Sequence, residues 1–422
     1  MDQSSGGSLA IEGGRPLRGT ISVGGSKNAT LGAMAAALLV DEPCVLQNVP
    51  NIGDVAHMGE VLRSLGASVG WEKPGVLRID AGGIHSSSPS SDLAGSLRGS
   101  FLVLGALLGR LGEAACPPPG GDVIGQRPVD VHLAGFAALG AEVSRDGEKF
   151  AATARELRGA DVFADYPSVL GTQNLMLAAV LAKGRTRIVN AAAEPEVQGL
   201  AEMLNAMGAK ISGAGSHTVE ILGVDKLHGC EYRVIPDRLE AGTFALAAAM
   251  TRGEIEIAGA CPEHLVSLTH KLREAGVEVK TDDERIHVRG VGSLRSLTIQ
   301  ALPYPGLATD LQALVAVLLT QADGVSYVHE RVFDNRLLYA GELRKLGADV
   351  VTTGTTTAII NGPTPLYGAR VQALDVRAGA ALILAGLAAE GRTEVSDVYH
   401  VDRGYEDIDG RLRSLGAGIE RI

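Results

Sequence analysis

Residues 62–69 read LRSLGASV, and the chain repeats this stretch five times more: FAALGAEV at 136–143, LNAMGAKI at 204–211, LREAGVEV at 272–279, LRKLGADV at 343–350 and LRSLGAGI at 412–419. The glycines are Gly66, Gly140, Gly208, Gly276, Gly347 and Gly416, separated by 74, 68, 68, 71 and 69 residues. That period is too long for a solenoid unit of roughly 20 to 50 residues. In each copy an apolar-periodic segment stops at the glycine. Glycine readily takes the left-handed conformation that ends a helix, and strand-like sequence follows it.

Upstream of each copy lies a second, Ala-rich helical segment: LGAMAAALLV at 31–40, FLVLGALLGR at 101–110, NLMLAAVLAK at 174–183, TFALAAAMTR at 243–252, LQALVAVLLT at 311–320 and ALILAGLAAE at 381–390. Short strand-like runs such as RIVNA and IEIAG separate the two helices, and hairpin-like stretches such as VEVKTDDERIHVRG follow the glycine. The unit therefore reads strand, helix, strand, helix, hairpin. Helices so rich in Ala and Leu are apolar all round, which predicts burial on every side. The expected fold is α/β: two inside-out barrels of three units each, helices inside and sheets outside, with a cleft between them.

The composition agrees with this. A length of 422 residues allows two or three domains, and only 4% of residues are aromatic, so the cores must be aliphatic. A net charge of −11 opposes broad nucleic-acid binding, and an anionic substrate would need a locally basic pocket. Cys44, Cys116, Cys230 and Cys261 lie far apart without metal-type spacing, and neither they nor the histidines suggest a metal site. No apolar run approaches the roughly 20 residues of a membrane span. The start of the chain lacks a basic segment followed by an apolar one, so a cytoplasmic protein is expected.

Alignment of the six units makes their loops comparable. Lys27, Arg98, Arg238 and Arg377 precede or open Ala-rich helices, where the macrodipole disfavours a cation by about 0.3–1 kcal/mol. A bound anion would account for that repeated placement. The second unit alone carries a long insertion, PPPGGDVIGQRPVD at 117–130, whose Pro/Gly frame and charges read as a functional lid. GGSKNA at 24–29 lacks the Gly-Lys-Ser/Thr core of a Walker phosphate loop, and no dinucleotide fingerprint follows a strand.

GGSKNA, RPVDVH, TDLQA, FDNR, DVRAGAAL and HVDRGYE, in this order over nearly the whole chain, closely resemble the UDP-N-acetylglucosamine 1-carboxyvinyltransferase (MurA) family of enolpyruvyl transferases. The resemblance implies one domain over 22–235 carrying the lid, a second over 1–21 plus 236–422, and an active site in the interdomain cleft. It implies transfer of enolpyruvyl from phosphoenolpyruvate to the 3′-hydroxyl of UDP-N-acetylglucosamine, without cofactor or metal, opening peptidoglycan synthesis.

By the same resemblance Asp310 is the base that takes the hydroxyl proton. Lys27, Arg127 and Arg403 hold phosphoenolpyruvate, with Arg98 and Arg377 lining the site. Asn28, Pro128, Val129, Asp130, Ser168, Val169, Val332 and Phe333, together with Arg98 and Asp310, meet the nucleotide sugar. Sister enzymes acting on shikimate 3-phosphate typically have Ser at the Asn28 position.

Three departures stand out. Leu170 occupies a common Gly position, and Gln173 occupies one where many members have Glu. Asp122 stands on the lid where many members carry the cysteine that fosfomycin alkylates. Asp122 is thus the candidate proton donor, and insensitivity to fosfomycin is expected. Two alternatives stay open: an enolpyruvyl transferase of secondary metabolism using another nucleotide or phosphorylated acceptor, and a non-catalytic nucleotide-sugar-binding homologue.

Overall fold

The computed structural model describes residues 7–422 apart from Val123, Gln126, Arg127 and Val291. The third repeat shows the unit in full. Its strand Asp161–Phe163 leads into helix Val169–Ala179, strand Arg185–Val189, helix Pro195–Ala206 and the hairpin Lys210–Ser212 with Thr218–Leu222. The first two strands run parallel with Val162 opposite Ile188, and Val219 pairs antiparallel on the other side of Ile188. A parallel pair needs a crossover connection, which the Ala-rich helix supplies. All six repeat glycines have positive φ, from 93° to 105°, as helix-ending residues should.

The first, fourth and sixth repeats complete the same strand order with strands from elsewhere in the chain. Glu231–Arg233 pairs parallel with Cys44–Gln47 and closes the first repeat. Near the N-terminus, Arg18–Ser22 pairs parallel with Glu254–Ala258 of the fourth, and Leu9–Glu12 lies between Arg392–Ser396 and Gly418–Arg421 of the sixth. The second repeat has a three-stranded sheet among the described residues.

The chain divides into two compact units. One comprises Gly25–Gly121 and Pro128–Ile235 and holds repeats one to three. The other comprises Met1–Gly24, Asp122–Arg127 and Pro236–Ile422 and holds repeats four to six. This grouping differs from the expected assignment of the whole 117–130 loop to the first set of repeats. Within the unit of repeats four to six, Asp122 is ion-paired to Arg403.

In the second unit, helices Arg238–Met250, Thr309–Leu319 and Val376–Ala388 pack on one another, with 239–250, 311–319 and 376–387 buried without a break. In the first, helix Leu102–Leu111 packs against both Lys27–Ala36 and Val169–Ala179. Small residues allow this closeness, and Gly105 shows how far it goes. A Cβ there would overlap the Asn174 backbone and side-chain oxygens. Asn174 Oδ1 accepts from Gly105 N at 2.7 Å, and its Nδ2 donates to Phe101 O at 2.9 Å, so the buried amide is satisfied across the contact. Among the described residues no helix is long and apolar enough to cross a membrane.

Gly105→Ala must push the two helices apart and break the Asn174 contact. It should destabilise the protein by about 1–3 kcal/mol, the usual effect of overpacking a filled core, and urea unfolding followed by circular dichroism would read the shift.

Candidate active site

The unit of repeats one to three presents its expected site residues at helix starts. Ser26 N-caps helix Lys27–Ala36, its Oγ accepting from Ala29 N at 3.3 Å, while its own N–H donates to Ile235 O at 2.8 Å. The return strand therefore anchors the loop that carries Lys27 and Asn28. Lys27 Nζ meets Asp54 Oδ2 at 3.1 Å. Asp54 is buried in the first turn of helix Gly53–Ser64, where a negative charge suits the macrodipole.

Arg98 opens the 3-10 turn Arg98–Phe101, and its Nη2 reaches Pro128 O at 3.5 Å. Pro128, Val129 and Asp130 form the entry to helix Asp130–Ala138. Two residues on, His132 is 1% exposed, edge-on to Phe101, with Nδ1 accepting from Asn174 Nδ2 at 2.9 Å. Burial, aided by the Arg98 charge, pushes its pKa down to about 3. Ser168 N-caps helix Val169–Ala179 through Gly171 N at 3.1 Å. Gln173 is turned into the core, its Nε2 donating to Glu196 O at 3.0 Å, so this departure from the family pattern is a packing residue.

In the unit of repeats four to six, Asp310 is the second residue of helix Thr309–Leu319. Its carboxylate is gripped by two guanidiniums: Arg336 Nη2 at 2.9 Å and Arg377 Nε at 3.1 Å. Arg377 is only 3% exposed. Burial works against its charge, but Tyr405, Asp310 and Asp237 outweigh that and hold its pKa above the ordinary guanidinium value. Tyr405 lies with its ring 5.1 Å from the guanidinium carbon and its hydroxyl 2.8 Å from Thr243 Oγ1.

Glu330, 1% exposed, organises the neighbouring loop. Its Oε1 accepts from Val332 N and Phe333 N at 2.8 and 3.1 Å, and its Oε2 accepts from the Thr309 hydroxyl at 2.7 Å. Arg336 donates to Thr309 Oγ1 at 2.9 Å and lies 5.3 Å from the Phe333 ring centre. One hydrogen-bonded network thus sets Asp310, Val332 and Phe333 together.

Beside it, Asp122 Oδ1 accepts from Arg403 Nη1 at 3.1 Å. Burial holds the His400 pKa below its ordinary value, against the opposing charges of Asp122 and of Asp375, the N-cap of helix Val376–Ala388. Arg127 lies outside the described residues.

A family model described as EPSP synthase (3-phosphoshikimate 1-carboxyvinyltransferase) matches residues 11–412. The UDP-N-acetylglucosamine 1-carboxyvinyltransferase 3 of Caldanaerobacter subterraneus subsp. tengcongensis is 48% identical over 98% of this chain and 99% of its own. The UDP-N-acetylglucosamine 1-carboxyvinyltransferase 1 of Staphylococcus aureus is 45% identical over the same shares. The chain belongs to the UDP-N-acetylglucosamine 1-carboxyvinyltransferase family.

Among solved structures, the enolpyruvyl transferase NikO from Streptomyces tendae is similar, with a TM-score of 0.89 at 27% identity and 99% coverage of both chains. EPSP synthase from Acinetobacter baumannii shares the fold, with a TM-score of 0.75 at 19% identity over 99% of this chain and all of that one. The inside-out α/β architecture expected for a UDP-N-acetylglucosamine 1-carboxyvinyltransferase is therefore the one present.

Asp54, Glu330 and Arg336 were not singled out by the sequence reading. Asp54 lies seven residues after strand Cys44–Gln47, Glu330 ends strand Ala322–Glu330, and Arg336 ends the quoted FDNR motif. Their positions were visible, but Asp54 meets Lys27, Glu330 meets Thr309 and Arg336 meets Asp310 across 27, 21 and 26 residues, and only the fold supplies those contacts.

His132 supplies a pH test. Its folded pKa lies below the unfolded value of about 6.5, so the unfolded chain binds the extra proton. This stabilisation is complete above about pH 6.5 and is lost as pH falls toward about 3. Between pH 6 and 5 unfolding free energy should drop by up to about 1.4 kcal/mol per pH unit from this group. His132→Gln should flatten that slope in urea titrations; an unchanged slope would place the dependence elsewhere.

Proposed function

We propose that the protein transfers the enolpyruvyl group of phosphoenolpyruvate to the 3′-hydroxyl of UDP-N-acetylglucosamine, releasing phosphate, as the first committed step of peptidoglycan synthesis in the cytoplasm. The observation that carries this reading is the Asp310 carboxylate held between Arg336 and Arg377 at a helix start. Asp310, Arg336, Arg377 and Glu330 sum to zero charge. Such a group suits a neutral hydroxyl and its base better than a phosphate. The grip of two guanidiniums fixes the carboxylate's direction before substrate arrives, which is the geometric requirement on a general base. Full-length relatives bearing the transferase name, at 45–48% identity, support the same substrate pair.

The remaining roles follow from charge and placement. Lys27 and Arg403 hold the phosphate and carboxylate of phosphoenolpyruvate, with Arg127 and Arg98 as further cations. Arg377, almost wholly buried, acts by holding Asp310. Asp122 delivers a proton to the methylene carbon while the acceptor oxygen, its proton passing to Asp310, bonds to the adjacent carbon; loss of a proton from the resulting methyl group then expels phosphate and leaves the enolpyruvyl ether. Arg403 serves both the phosphate and Asp122, so capture of the phosphate frees the Asp122 carboxyl to turn toward its target. Asn28, Pro128, Val129, Asp130, Ser168, Val169, Val332 and Phe333 surround the nucleotide sugar.

Phosphate release from phosphoenolpyruvate should depend on UDP-N-acetylglucosamine and need no added metal; release only with another acceptor would replace the substrate assignment. Asp310→Asn should keep both binding affinities while turnover falls about 10²–10⁴-fold, and near-normal turnover would move the base elsewhere. Lys27→Ala should weaken use of phosphoenolpyruvate by about 10- to 100-fold, since a charge-assisted bond is worth about 1.5–3 kcal/mol.

Fosfomycin should leave the enzyme active, because a carboxylate is a far weaker nucleophile than a thiolate toward an epoxide. Asp122→Cys should become inactivated with time; a fosfomycin adduct on the unaltered enzyme would contradict the insensitivity.

A further inference from the structure

The four cysteines are scattered in sequence, yet the fold sets two of them side by side. Cys44 opens strand Cys44–Gln47, and Cys230 immediately precedes strand Glu231–Arg233. The two strands are parallel neighbours with Glu231 opposite Val45, and Val45 N donates to Cys230 O at 2.9 Å, which carries the register back to Cys230 opposite Cys44. Neighbouring strands lie about 4.8 Å apart, within the range of roughly 4.4–6.8 Å between Cα atoms that a disulfide spans.

Gly229 allows the approach. A Cβ there would overlap the Pro43 carbonyl oxygen and crowd Glu42 Cβ. Glu42 Oε2 also accepts from Gly229 N at 3.1 Å, holding the two chain segments together at the strand entrance.

The two thiols are also in contact and unequal. A hydrogen bond from Cys230 pulls the Cys44 thiol below its ordinary pKa despite burial, and the same bond together with burial pushes the Cys230 thiol up. Cys44 is fully buried, whereas Cys230 is partly exposed. The exposed member is thus the one a reagent reaches, and the buried member is the readier thiolate.

We propose that Cys44 and Cys230 form a reversible redox pair that closes into a disulfide when the protein meets a low-molecular-weight disulfide. Cys230 is the sulfur the reagent reaches: as its thiol proton passes to solvent it attacks one sulfur of the reagent, giving a mixed disulfide, and the reagent thiolate released takes up a proton. The Cys44 thiolate then attacks Cys230 Sγ, expelling the second reagent thiolate, which takes up a proton. One reagent disulfide is reduced to two thiols, and two protein thiols are oxidised to one disulfide.

The link has a structural consequence at the other end of the strand. It joins positions 186 residues apart in sequence and fastens the strand that closes the first repeat. Five residues further on, Ile235 O accepts from Ser26 N, and Val234 O accepts from Asn48 Nδ2 at 3.0 Å. Oxidation therefore fixes the strand from which the Lys27 loop hangs, and stabilises the unit by restricting its unfolded chain.

The test uses the full-length protein and oxidised glutathione, read by thiol counting, peptide mass and thermal unfolding, so its outcome is independent of transferase activity. Two of the four thiols should disappear and a linked peptide pair containing Cys44 and Cys230 should form. The unfolding midpoint should rise by roughly 5 °C, and reductant should reverse all three changes. Cys230→Ser, at a partly exposed position, should abolish the link and the rise, whereas Cys116→Ser and Cys261→Ser should retain both. Glutathione held on Cys230 with Cys44 still free, or both thiols surviving the treatment, overturns the proposal.

Discussion

A helix with no polar side must be enclosed, and six such helices govern this protein. Within each unit the Ala-rich helices approach closely enough that a single added methyl at Gly105 would strike a neighbouring backbone. Sheets close around them, and any polar group left inside must find a partner. Asn174 does so across a helix contact, and Thr243 does so with Tyr405. The starts of these helices are where chemistry-bearing residues can sit. Ser26, Ser168, Asp237 and Asp375 cap them, and Lys27, Val169, Arg238 and Val376 come next in sequence, with Arg377 one residue further on. Packing therefore fixes the site residues in place without spending any of them on the core.

Cations at helix starts oppose the macrodipole, and the structure resolves part of that opposition internally. Lys27 has Asp54, Arg377 has Asp310, and Arg238 lies over the Tyr304 ring with its guanidinium carbon 5.8 Å from the ring centre. The repeated placement is thus not in itself proof of a bound anion. Around Asp310 the arginines Arg336 and Arg377 hold the carboxylate, and Arg403 pairs with the carboxylate of a loop residue, Asp122.

The repeat was legible because every copy obeys the same local rule: a helix that ends needs a residue able to adopt positive φ, and all six glycines do so. The succession strand, helix, strand, helix, hairpin within a repeat was legible from periodicity and turn residues. The borrowed strands were not legible. Leu9–Glu12, Arg18–Ser22 and Glu231–Arg233 are short, and nothing in their composition names the sheet they complete. The same limit hid the partners of Asp54, Glu330 and Arg336, and the Cys44–Cys230 contact. Motif reading picked out residues that carry distinctive charge at marked places. It missed residues that act by holding others, because their value lies in a distance that only the folded chain defines.

The lid residue shows how one side chain joins these themes. A carboxylate and a guanidinium make a charge-assisted bond stronger than a neutral thiol could offer the same arginine. Asp122 groups with repeats four to six, which also hold its partner Arg403, although the preceding Gly121 groups with repeats one to three. Gly125, at φ 112° and packed where a Cβ would overlap Asp334 Oδ1, supports the same placement. On the function proposed above, the guanidinium that would engage the substrate anion is the one Asp122 pairs with here, so loop release and anion capture would draw on the same group.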